Sequence, residues 1–186
     1  MNNRQLKFYF KILFFTFMFY IACGLQTSFW PNIVTIIPSP QIWLIMIIFI
    51  TIKWPPLFTI FYIYFLGFCL TSFADIPLSM IWSTTLVVFT SLLIIKNRIQ
   101  LTGAFSFVIL VLFGSLSFEI TYYYFSDILE TIPTSLILYE RVLQVLVNFI
   151  FCYPLYFVLG KADTLIFDEQ DWARSSKDYN IGIQHE

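Results

Sequence analysis

The chain has 186 residues, of which 59% are hydrophobic and 11% charged. Soluble domains usually carry about 25% charged residues, so this composition excludes a globule wetted on all sides and fits a chain solvated by lipid. An aromatic content of 21%, with 23 Phe, suits a lipid-facing surface of large side chains. The net charge of −1 matters less than where the ten basic residues fall.

In chain order, the sequence predicts an all-α integral membrane protein with six transmembrane helices. A spanning helix needs about 20 apolar residues. Arg4, Lys7 and Lys11 precede the first apolar run, expected at about 9–29. That run is longer than a signal-peptide core and no small-residue cleavage site follows it, so it reads as a retained span. Trp30 and Pro31 close it as an interfacial aromatic and a helix stop. A proline-containing loop leads to the second span, about 41–53, which is short enough to need Pro38 to Gln41 at its outer end. Further spans are expected at about 56–74, 78–95, 103–125 and 138–160. Residues 1–161 then form one membrane domain. Residues 162–186, with six acids and two bases, form a cytoplasmic tail.

The charges test this division. With the start in the cytoplasm, the inner side receives Arg4, Lys7, Lys11, Lys53, Lys96, Arg98, Lys161, Arg174 and Lys177, and the outer side only Arg141. That asymmetry is what the positive-inside rule asks for, and it places both termini in the cytoplasm. A second segment that failed to cross would move every later loop to the wrong side.

Ionisable groups at membrane depth are costly, so each is a candidate site. Glu119 lies inside the fifth span, about 9 Å from its expected outer end near Phe125. Arg141 begins the sixth span from the same side, close enough for a Glu–Arg pair that relieves the burial of both. Arg141, Gln144 and Asn148 share one helical face, which should look into the bundle and bond to other helices. Asp75, before Ile76-Pro77, suits capping of the fourth helix. Gln26 and Trp30 complete the candidates at the outer end. Gly67, Gly103, Gly114, Ser115 and Ser117 offer close helix approach.

Cys23, Cys69 and Cys152 lie in apolar runs with no metal-ligand spacing, and the single His185 is penultimate. No metal or other cofactor is expected. No nucleophile elbow, phosphate-binding loop or paired carboxylates within one span occur, so no enzyme is expected.

The run Gly24-Leu25-Gln26-Thr27-Ser28-Phe29-Trp30-Pro31 resembles a pattern in MreD, the rod shape-determining membrane protein family of bacteria. So does Pro40-Gln41-Ile42-Trp43-Leu44-Ile45, and Gly67 to Asp75 is similar to that family's segment before its fourth span. The resemblance covers about residues 10–160 and rests on short, mostly apolar motifs. It implies a fold akin to the substrate-binding components of energy-coupling-factor transporters, in the bacterial inner membrane. It also implies a scaffold of the elongation machinery with MreC as partner, MreB and the peptidoglycan-synthesising enzymes nearby, and membrane lipid around it. Nucleic acid is not expected as a partner, and a homodimer is left open. The alternative is a vitamin-binding transporter component, for which Gln26, Asp75, Glu119, Tyr122, Tyr123, Arg141 and Gln144 supply polar groups at the outer end. The bulky Phe14 to Tyr20 run in the first span, with no patch of small residues, speaks against it.

Overall fold

A computed structural model describes residues 3–34, 37–74, 76–98, 103–129 and 138–166. Asp75, Arg174, Lys177 and His185 lie outside the described residues, as does the tail beyond Ile166. Every regular element among the described residues is helical. Helix α1 (Asn3–Gly24) continues through a wide π-turn (Leu25–Phe29) into a last turn (Trp30–Ile33). Then follow α2 (Ile42–Lys53), α3 (Pro56–Leu70), α4 (Leu78–Arg98), α5 (Gly103–Leu129) and α6 (Leu138–Ile166).

Among the described residues, four stretches are long and apolar enough to cross a membrane: Phe8–Ile33, Leu78–Lys96, Gly103–Leu129 and Leu138–Thr164. Helices α2 and α3 are apolar but shorter. The outer faces carry exposed Leu13, Phe17, Phe61, Phe105 and Ile150, a surface that water would not tolerate and hydrocarbon would.

Helix α2 explains the bundle. Every residue from Trp43 to Thr51 is buried, so a helix hydrophobic on all sides forms the core rather than part of the wall. The other helices pack round it. Phe15 stacks on Phe49 at 6.3 Å, Trp43 meets Phe118 edge-on at 5.2 Å, and Phe49 meets Phe107 at 6.0 Å. Gly114 allows α5 to come against Ile48, where a Cβ would lie 2.7 Å from the Ile48 Cδ1. Gly67 does the same for Trp82, whose indole N–H donates to the Tyr64 carbonyl at 3.1 Å.

Several boundaries differ from the sequence expectation. Pro31 does not stop the first helix. The π-turn re-registers the backbone, with the Trp30 N–H bonded to the Leu25 carbonyl, so that Pro31 falls in the first turn of the final segment. There its missing N–H and its ring are tolerated. Helix α3 ends at Leu70 and residues 71–74 turn, with the Thr71 hydroxyl bonded to the Phe68 carbonyl at 2.7 Å. Helix α5 runs on to Leu129, which puts Glu119 about 15 Å from the end rather than about 9 Å. Helix α6 continues to Ile166, past the expected start of the tail at 162, because Asp163 is bonded back into the bundle.

Candidate functional site

Two polar clusters flank α2, one at each end. The first is built where the chain enters α2. Residues 38–41 are not helical, so their backbone groups need partners from elsewhere, and non-helical backbone at membrane depth survives only when protein supplies them. Helix α6 supplies two of them, while the Pro40 and Gln41 carbonyls accept from the first N–H groups of α2. The Asn148 Oδ1 accepts from the Gln41 backbone N–H at 2.7 Å, and the Gln144 Nε2 donates to the Ser39 carbonyl at 2.8 Å. The Asn148 Nδ2 donates to the Gln41 side-chain Oε1 at 2.9 Å and to the Ser115 hydroxyl at 3.1 Å. Asn148 is fully buried and uses both ends of its amide.

The ion pair is continuous with this network. Arg141 Nη1 lies 2.6 Å from Glu119 Oε2, and the Gln41 Nε2 donates to the other carboxylate oxygen at 3.0 Å. The Arg141 guanidinium also sits 5.6 Å over the Tyr122 ring. Glu119 is 6% exposed and Arg141 31%, so the carboxylate is enclosed and the cation forms the outer side of the pair.

The structure thus brings together Glu119, Arg141, Gln144 and Asn148, as their spacing suggests. Gln41 joins them at the centre, though the sequence does not single it out as a site residue; the signal it offers is a lone amide between Pro40 and an unbroken apolar run. Trp30 stands apart, its indole donating to the Ile37 carbonyl at 3.1 Å and its ring edge-on to Phe151. Gln26 lines a cavity of about 260 Å³ beside the network, with Gln41, Tyr122, Arg141 and Gln144 on other walls and Trp43 and Phe118 on apolar ones. Its buried Oε1 has no hydrogen-bond partner among the described residues.

The second cluster, beyond the other end of α2, pairs Lys11 with Asp163. Lys11 is 1% exposed and sits 5.1 Å over the Trp54 ring, whose indole N–H reaches Asp163 Oδ1 at 3.4 Å. Phe15, Phe58 and Tyr62 pack round Trp54 at 5.2 to 5.5 Å. Nearby, Lys96 Nζ donates to the Thr51 carbonyl at 3.2 Å, one of the last carbonyls of α2. Lys11, expected as one charge among a cytoplasmic group, is instead buried in the bundle. The reason is its register: Lys11, Phe15 and Phe19 lie four residues apart on the buried face of α1. Cys23, Cys69 and Cys152 are buried free thiols.

No protein-family model, curated protein or solved structure matches the chain.

Proposed function

We propose that the chain is a non-enzymatic membrane scaffold of the bacterial cell-elongation machinery, acting in rod shape and peptidoglycan synthesis by binding MreC. On this reading it crosses the inner membrane six times with both termini in the cytoplasm. The resemblance of residues 24–31 and 40–45 to the MreD family motivates it. The observation that carries it is how the polar groups are used. Glu119, Arg141, Gln144 and Asn148 bond to one another and to the Ser39–Gln41 segment, tying α5 and α6 to the lead into α2. That is the construction of a rigid frame, while the exposed apolar faces of the outer helices are free for partner helices.

Six passes are supported by charge more than by length. Helix α2 rises about 18 Å over its 12 residues. The non-helical residues 38–41 before it add less than a strand of that length would, because the chain turns at Gln41, where the Ile42 N–H bonds the Pro40 carbonyl. Together they stay under the roughly 30 Å of a hydrocarbon core. The basic residues near the Trp54 end, Lys11, Lys53 and Lys96, against Arg141 at the other, support a cytoplasmic Trp54 end.

Affinity capture of the tagged protein from its native membrane should retain MreC, and depletion should round the cells. Capture without MreC and rods of normal shape would end this reading. The cavity beside Gln26 favours a second one, a component that binds a small vitamin. A stoichiometric vitamin released from the purified protein would select it over the scaffold.

A further inference from the structure

Beyond the cavity inside the bundle, Arg141 also faces outward. Between α5 and α6 runs a groove of about 420 Å³, walled by Leu116, Ile120, Leu138, Val142 and Val145, with Tyr123 and Tyr124 at its edge. Glu119 and Arg141 form its only charged lining among the described residues. The pair presents its two charges unequally. Among the described residues, Glu119 is held by two donors and nearly enclosed, whereas Arg141 is about a third exposed and makes one hydrogen bond of the five its guanidinium can donate. The groove therefore meets an apolar trough ending in an incompletely neutralised cation.

Depth narrows the occupant. Helices α5 and α6 have 27 and 29 residues, about 40 and 43 Å, so each outruns a hydrocarbon core of roughly 30 Å by several ångströms at either end. Arg141 lies three residues, about 4.5 Å, inside the start of α6, near the level of one bundle end, and its guanidinium reaches toward Glu119, which is about 15 Å inside α5. Tyrosines at the groove edge suit the same level. Arginine, with its fork of donors, matches a phosphate, and a partly exposed cation favours a lipid whose phosphate charge no headgroup ammonium offsets.

We propose that the groove between α5 and α6 binds one anionic phospholipid, its phosphate on the Arg141 guanidinium and an acyl chain along Leu116, Ile120, Val142 and Val145. The site does not depend on the scaffold reading, since it concerns the surface that any bilayer would offer to these two helices.

The test is native mass spectrometry of the full chain in mixed micelles holding equal amounts of palmitoyl-oleoyl phosphatidylglycerol and phosphatidylcholine. The wild type should retain one phosphatidylglycerol in preference to phosphatidylcholine by about tenfold, because the choline ammonium offsets the phosphate charge that phosphatidylglycerol leaves for Arg141. Ile120→Trp and Val142→Trp, which fill the groove from opposite walls and leave the ion pair alone, should each lose that adduct. The double variant Glu119→Gln with Arg141→Gln keeps a hydrogen-bonded pair without the cation, and should hold both lipids equally. Equal retention of the two lipids by the wild type would overturn the site. So would a phosphatidylglycerol adduct undiminished in both tryptophan variants, or a protein helix cross-linked from position 142 in place of lipid. If one tryptophan variant fails to fold, the other gives the same readout.

Discussion

The two ends of α2 solve the same problem differently. At the Gln41 end, six side chains from three parts of the chain, together with a stretch of backbone, close a network rich in amides. At the Trp54 end, one lysine and one aspartate meet under an indole. A network shares the cost of a lost member among several remaining bonds, whereas a buried ion pair concentrates more of it in one partner. The first end should therefore weaken by steps and the second fail at a single change.

The sharpest way to break that contrast is Asp163→Asn. It takes the carboxylate from a lysine that is 1% exposed, and should cost about 3–5 kcal/mol. The double variant Lys11→Met with Asp163→Leu removes both charges and should recover most of the loss. Thermal unfolding in detergent reads both, and an Asp163→Asn protein as stable as wild type would show that the pair is unimportant.

A smaller effect is expected at the network end. Arg141→Gln leaves a carboxylate that is 6% exposed, but the Gln41 amide still donates to it, so the loss should be about 2 kcal/mol. Glu119→Gln should cost less, because its side-chain carbonyl can still accept from Arg141. The same unfolding assay tests the order, and Glu119→Gln proving the more harmful would reverse the account of which partner is the more dependent.

The smallest change probes the stretch between the ends. Gly114→Ala places a methyl group against the fully buried Ile48 and should cost about 1 kcal/mol. Gly160→Ala, where a Cβ would meet nothing within 4 Å, should be neutral or slightly stabilising. Equal melting temperatures for the two would mean that α2 and α5 are packed more loosely than the contact at Gly114 implies.

The contrast also explains what could be read from residues alone. The Arg141, Gln144 and Asn148 stripe is visible because three polar groups on one face stand out from an apolar helix, and Glu119 because a lone acid in such a helix must find a partner. Their common acceptor and donor at residues 39–41 is invisible, since backbone groups leave no mark in a sequence. Lys11 misleads for another reason. In a first helix apolar on every side, its buried face has no polar counterpart to define it, and a basic residue near the start reads as a loop charge. Asp163 is masked in the same way by the acidic stretch that follows it. The all-helical character is legible from composition and run length, whereas the central place of α2 rests on packing that involves all the other helices.

The partnership of Gln144 and Asn148 with residues 39–41 has a consequence for biogenesis. The carbonyl of Ser39 and the N–H of Gln41 emerge from the ribosome more than a hundred residues before the side chains that satisfy them. Until α6 arrives, the lead into α2 has to stay hydrated or borrow contacts from the insertion machinery. On the six-pass reading, integration of α2 is tied to the completion of the last helix, and in a nascent chain arrested before residue 144 a cysteine engineered into α2 should be accessible to water-soluble thiol reagents.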